Sequence, residues 1–237
     1  MAPATLAFGL PVTPSATYTR IMHRAMGSPA LKGAREAGLR PLRLTYATPA
    51  AIVPSRRELP ILLNRRRLLG CGVEVGVKTG DFSEMLLDRW RGRHLVSVDP
   101  WSEAPAEEYV DLANVAQEEH DRYHAIARDR LLRFGDRSTI WRMTSSEAAP
   151  RVLHHSLDFA YIDARHDYDS VREDLELWVD RVRPGGVLAG HDYVDGNLVD
   201  GVFGVRSAVD DFFGERGVRV RATFTDPPWF SWWVVLP

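Results

Sequence analysis

Two short stretches hold most of the side chains able to do chemistry, Asp163-Ala-Arg-His166 and Gly190-His191-Asp192-Tyr193. Together they offer two carboxylates and two imidazoles, a donor set suited to a hard or borderline cation. A third stretch, Cys71 to Trp101, offers a different chemistry. Gly76 to Gly80 form a turn with two flexible points, where a ligand can approach backbone N–H groups and the positive end of a helix. Glu74 precedes the turn. Asp99 ends the strand that follows, where a carboxylate can accept hydrogen bonds from a ribose diol. This reads as a nucleoside-type cofactor site, with the cofactor left open.

Something must carry these residues to one place. Val73 and Val75 lie in a short β-branched run, and Phe82, Met85, Leu86 and Trp90 recur at helical spacing after the turn. His94–Val98 predicts a second strand, Thr139–Met143 a third and Leu157–Ile162 a fourth. Ala106–Leu132 reads as one long or two short helices, and Thr144-Ser145-Ser146-Glu147 opens another. Ser170-Val-Arg-Glu173 has the capping-box pattern. It predicts a helix with Val171, Leu175, Trp178 and Val182 on one face, stopped by Pro184-Gly185-Gly186. Val187–Ala189 predicts a fifth strand, Val205–Phe213 a helix, and Val218–Phe224 with Phe230–Leu236 a closing pair of strands. The last carries Trp232 and Trp233, following Trp229, as aromatics on both faces. Alternating strands and helices mean an α/β domain with a largely parallel sheet, whose ligand lies at the carboxyl ends of the strands. That rim gathers Glu74, Gly76, Asp99, Thr144, Asp163, His166, His191 and Asp192.

The 237 residues, 45% hydrophobic and 26% charged, suffice for one substantial core or one domain with an appendage. A net charge of −2 gives no global argument for nucleic acid or an acidic surface. Cys71, the single cysteine, excludes an intramolecular disulfide. No apolar run approaches the ~18 residues of a membrane span. Residues 1–60 stand apart, with eight Lys/Arg against two acids and eight of the fifteen prolines. They read as an arm or lid over a domain at 61–237, as an organelle-targeting segment, or as disorder. Tyr18–Arg35 could be helical there, interrupted or kinked at Pro29. Arg65-Arg66-Arg67 reads as a solvated face. The expected location is cytoplasmic, or an organelle if the basic arm targets it. Asp195–Gly204 yields no pattern.

VEVGVKTGDFS, SVDPW, FAYIDARHDYDSVREDLELW, RPGGVLAGHDY and the aromatic C-terminal strand together resemble the class I S-adenosylmethionine-dependent methyltransferases, in the branch called methyltransferase domain 24. The resemblance covers roughly Leu62 to Pro237. It implies a Rossmann-like, doubly wound, mostly parallel seven-stranded sheet, with one antiparallel strand near the C-terminus. It implies S-adenosyl-L-methionine as cofactor, with Glu74 and the Val75–Gly80 turn on its amino-acid part. Asp99 would take the ribose, and Thr144 to Ser146 would lie near adenine. Val77, Lys78 and Thr79 stand where the family's turn is usually richer in glycine. That fits a cofactor with no pyrophosphate to cradle better than a dinucleotide.

The Asp163 and His191-Asp192 groups further resemble the metal-dependent sugar O-methyltransferases, in which acids after strands four and five hold magnesium. The resemblance implies Asp163, His191 and Asp192 as metal ligands for Mg2+ or another divalent cation. His191 replaces an acid, which leaves room for a different ion or none. His166 matches a proposed catalytic base of that group, and His191 is the second catalytic candidate. Asp163 could instead position the acceptor or the cofactor's amine. The implied activity is O-methylation of a small-molecule hydroxyl, with a small-molecule acceptor, no nucleic acid, no membrane, and a homodimer as the oligomer to look for. Two other readings stay open, a nicotinamide-dependent oxidoreductase and a catalytically silent binding protein of the same fold.

Overall fold

The described residues belong to one compact unit that runs to Pro237. A computed structural model describes residues 53–105, 111–198, 201–226 and 228–237. The expected arm and the helix near Tyr18–Arg35 therefore lie outside the described residues, save for 53–60.

The described chain opens with a 3-10 turn at Arg56–Glu58 and α1 (Leu59–Arg65). Then follow β1 (Cys71–Val75), α2 (Asp81–Arg89), β2 (His94–Asp99), α3 (Gln117–Leu131), β3 (Ser138–Arg142) and α4 (Ser145–Ala148). The chain continues through β4 (Leu157–Ile162), α5 (Tyr168–Val179), β5 (Val182–Gly190), β6 (Asp195–Leu198) and β7 (Gly201–Gly204). It ends with α6 (Val205–Gly214), β8 (Arg221–Ala222) and β9 (Trp232–Val235). Seven strands form one sheet in the order β3-β2-β1-β4-β5-β9-β8. β1 to β5 run parallel and β9 runs against both its neighbours, giving the one reversed strand that was expected.

Strand periodicity builds a core on each face. Val73, Val75, Ala160, Ile162, Leu188, Trp232 and Val234 point to one side, where α5 and α6 bring Leu175, Trp178, Phe212 and Phe213. Phe159, Tyr161, Val187, Ala189 and Trp233 point to the other, against Leu62 and Leu63 of α1, Leu86 of α2 and Trp90 just after it. Because successive side chains alternate faces, Trp232 and Trp233 are both core, one per side. The sheet winds outward from β1 in two directions. The crevice between β1 and β4, where the order reverses, is where such sheets take ligands.

Several local expectations shift. α5 ends at Val179, before Pro184-Gly185-Gly186, which lies within β5 beside a register shift between Leu157 and Phe159. Val182 is accordingly a strand residue. The cap of α5 is Asp167, whose side chain accepts from the Ser170 N–H at 2.9 Å, so Ser170 sits inside the helix. Thr144 does form the reciprocal box with Glu147. The closing strands are short, since only Arg221 and Ala222 pair with β9. The unpatterned Asp195–Gly204 region contributes a separate two-stranded hairpin, β6–β7.

Candidate functional site

Gly76 follows β1 in a left-handed conformation, φ +85°, and a Cβ there would overlap the Asp163 carbonyl. Only glycine lets the two strand ends approach so closely. Gly80, φ +77°, is the N-cap of α2 and packs against Ala127. Lys78 is also left-handed, and the turn around it is held from both sides. Asp99 accepts from the N–H groups of Val77 (2.8 Å), Lys78 (2.9 Å) and Trp101 (2.7 Å). The indole N–H of Trp101 donates to the Lys78 carbonyl at 2.8 Å. A carboxylate offers about four lone-pair sites, so Asp99 retains room for one further donor.

Glu74 is 1% exposed, on the face of β1 that meets α2. Its carboxyl accepts from Ser83, whose hydroxyl lies 3.0 Å from that of Ser97. Burial, opposed by the Ser83 hydrogen bond and reinforced by the charges of Asp163 and Asp99, pushes its pKa up to about 8. Glu74 is thus a neutral acid at pH 7 in this arrangement.

The second group forms at the ends of β4 and β5. Asp163, His191 and Asp192 each present a ligand atom, and these atoms lie within 4.8 Å of one another. Asp192 adopts φ +50° and bridges two imidazoles, with His191 Nδ1 at 2.8 Å and His166 Nε2 at 3.0 Å. Burial opposes its ionisation, but the hydrogen bonds and charges of His166 and His191 outweigh it and hold its pKa well below the usual range. His191 Nε2 is buried with no hydrogen-bond partner among the described residues. His166 stacks on Phe203, ring centroids 4.7 Å apart, and its Nδ1 meets Asp111 at 2.7 Å. Its Nε2 faces Asp163 at 3.9 Å as well as Asp192. Desolvation would lower its pKa, yet three surrounding carboxylates raise it to about 12, so the ring is protonated here.

Glu74, Gly76, Gly80, Asp99, Asp163, His166, His191 and Asp192 therefore share the carboxyl-end rim of β1, β2, β4 and β5. Thr144 and Ser145 start α4, after β3 on the far side of β2. Ser145 accepts the Trp178 indole N–H at 2.8 Å and so ties α4 to α5. Residues the sequence did not single out complete the site. Asp111 orients His166, Phe203 of the hairpin covers it, and Arg56 reaches Asp163 at 3.3 Å. None of these three follows a predicted parallel strand, so the strand-end rule gave no signal for them.

A parallel sheet with one reversed strand near the C-terminus, a glycine turn after β1 and an acid after β2 define a Rossmann-like fold of the class I methyltransferase type. The chain belongs to the methyltransferase domain family, whose profile matches residues 73–193, just over half its length. It therefore carries an S-adenosylmethionine-dependent methyltransferase domain, and the oxidoreductase reading gives way. The same fold occurs in the O-methyltransferase of Bacillus cereus in complex with SAH, which is 16% identical with a TM-score of 0.54, covering 94% of this chain and 92% of that one. It occurs in TomG of Streptomyces achromogenes, an O-methyltransferase involved in tomaymycin synthesis and solved with SAM (18% identity, TM-score 0.54, 90% of each chain). A putative caffeoyl-CoA O-methyltransferase from Staphylococcus aureus is likewise similar (12%, TM-score 0.57, 92% of this chain and 98% of that one). Among curated proteins, the uncharacterized protein y4gI of Sinorhizobium fredii is 25% identical over 132 residues, which are 55% of this chain. The match spans 13% of that protein's length. Among the described residues no helix is long and apolar enough to cross a membrane.

Proposed function

We propose that this protein transfers a methyl group from S-adenosylmethionine to a hydroxyl of a small-molecule acceptor, assisted by a divalent cation. The observation that carries this reading is the Asp163, His191, Asp192 cluster on the same rim as Glu74, Gly76 and Asp99. The fold's occurrence in O-methyltransferases agrees with it.

The residues fit the groups they would hold. Two carboxylates and an imidazole suit Mg2+ or a borderline ion, and the buried Nε2 of His191, which has no hydrogen-bond partner among the described residues, is available as a ligand atom. The glycine turn and Asp99 fit a nucleoside without phosphates. Glu74 and the Val75–Gly80 turn would hold the amino-acid end of the cofactor, Asp99 the ribose, and Thr144 the adenine side, with Ser145 fixing the start of α4 through Trp178. Asp163, His191 and Asp192 would hold the cation. Bound there, it would lower the pKa of the acceptor hydroxyl and offset the carboxylate charge around His166. The cofactor supplies an electrophilic methyl group. The protein's own work is alignment and proton control. His166, fixed through Nδ1 by Asp111, would give up its Nε2 proton to solvent once a cation offsets the carboxylates around it, and would then receive the acceptor's proton there.

Titration calorimetry with S-adenosylhomocysteine, with and without Mg2+, tests the cofactor half. Micromolar binding is expected, and no binding at millimolar ligand sinks the reading. Turnover of a panel of hydroxylated small molecules tests the rest. Activity on any of them that survives EDTA undiminished removes the cation.

A further inference from the structure

Arg56 lies outside residues 73–193 that define the family, yet its guanidinium reaches the rim. Its placement is built rather than incidental. The Pro54 carbonyl accepts from the N–H groups of Phe224 and Thr225, both at 3.0 Å, and from the Thr225 hydroxyl at 2.8 Å. The Arg56 N–H donates to Asp226 at 2.7 Å. Asp226 is itself buried and also accepts from Thr223 (2.8 Å) and Ser231 (2.9 Å). The strap before α1 is thus tied to the turn between β8 and β9, and the arginine is aimed before any ligand arrives.

Its target is the crevice beside the glycine turn. The guanidinium lies 5.5 Å from the ring centroid of Phe82, in the first turn of α2, and that ring packs on Tyr161 at 4.1 Å. It pairs with Asp163 through a single contact of 3.3 Å. Its side chain is 35% exposed, and a guanidinium carries five N–H donors in a fork matched to a carboxylate. The Tyr161 hydroxyl beside it is buried and makes no well-formed hydrogen bond among the described residues. A cation and an anion side by side, with donors to spare, form the complement of an α-amino acid zwitterion.

We infer that Arg56 is the anchor for the α-carboxylate of the cofactor's amino-acid end, with Asp163 Oδ2, the oxygen it now holds, facing the α-ammonium and Oδ1, on the His166 side, left for the cation. This rests on the cofactor reading above and deepens it. The Arg56–Asp163 contact opens as the zwitterion enters, so Arg56 exchanges one carboxylate for another and Asp163 Oδ2 exchanges a guanidinium for an ammonium.

A ligand–protein double cycle tests it. S-adenosylhomocysteine and its decarboxylated analogue are titrated calorimetrically against wild type and Arg56→Gln, with thermal melts and circular dichroism establishing that the variant is folded. In wild type, removing the ligand carboxylate should weaken binding about tenfold to hundredfold, the range of a charge-assisted hydrogen bond. In Arg56→Gln the two ligands should bind within about twofold of each other. An undiminished preference for the carboxylate in the variant overturns the assignment, as does a wild type indifferent to the carboxylate. Failure of wild type to bind S-adenosylhomocysteine at all would instead overturn the cofactor reading, and this one with it.

Discussion

Glu74 gives a prediction whose size follows from its environment. Its carboxyl is wholly buried, accepts one hydroxyl donor from Ser83, and has its pKa raised from 4.5 to about 8. The sign follows from proton counting. Below pH 4.5 both folded and unfolded chains carry the proton, so this group contributes no pH dependence. Between 4.5 and about 8 the unfolded chain ionises while the folded one keeps its proton, so stability falls as pH rises. Above about 8 both are ionised and the loss saturates. At 1.36 kcal/mol per unit the full interval corresponds to about 4–5 kcal/mol, an upper bound because water entry relaxes a buried charge. Glu74→Gln keeps the shape and an acceptor for Ser83 while removing the ionisation. Chemical denaturation of the ligand-free protein at pH 5, 6, 7, 8 and 9 should show the variant gaining on wild type. The gain should be smallest at pH 5, below about 1 kcal/mol, and reach roughly 2–4 kcal/mol by pH 9. Other titrating groups are common to both proteins and cancel in the difference. A difference that stays constant across this range would mean that Glu74 is ionised in the folded state and that the burial argument is wrong.

Gly76→Ala should destabilise by roughly 3 kcal/mol or more, because the new methyl meets the Asp163 backbone and φ is +85°. Gly185→Ala, φ +74° but with open space around it, should cost about 1 kcal/mol, and equal losses in denaturation would refute the close-approach argument. Mg2+ or Mn2+ should raise the melting temperature of wild type and leave Asp163→Asn unmoved; a shift that persists in the variant removes Asp163 from the cation site. Ser145→Ala should cost about 1–2 kcal/mol by orphaning the Trp178 indole N–H while leaving S-adenosylhomocysteine affinity within about twofold. A large affinity loss at full stability would give Ser145 a direct role at the cofactor.

The parallel strands were legible because each is a short apolar run ending in a polar residue, and Leu157–Ile162, buried along its whole length, is the clearest case. Since ligands collect at those ends, reading the strands also read Glu74, Asp99, Asp163 and Asp192. Boundaries failed where two local signals compete. Asp167-x-x-Ser170 and Ser170-x-x-Glu173 are both cap patterns, and the first prevails, leaving Ser170 buried against the core inside α5. Pro184-Gly185-Gly186 reads as a helix stop, but the chain has already turned at Asp180 and spends the glycines on a bulge in β5. There a Cβ at Gly186 would crowd the Asp158 carbonyl.

Arg56, Asp111 and Phe203 were illegible for a different reason, which also says what they are for. Each is delivered by a segment whose position depends on a distant partner. Arg56 depends on a strap tied to Asp226, 170 residues away; Asp111 on an isolated bridge to Gly201; Phe203 on the β6–β7 hairpin. No local periodicity encodes such ties. The strand ends supply the groups expected to hold the cofactor and a cation, whereas these three close over them from outside. Asp111 and Phe203 fix His166 from its edge and its face, so that Nε2 is the nitrogen left facing the rim. Moving any strand end would dismantle the sheet. Moving a strap or a hairpin changes only what fits beside the rim, so acceptor choice should be set by the parts of this chain that sequence periodicity leaves unread.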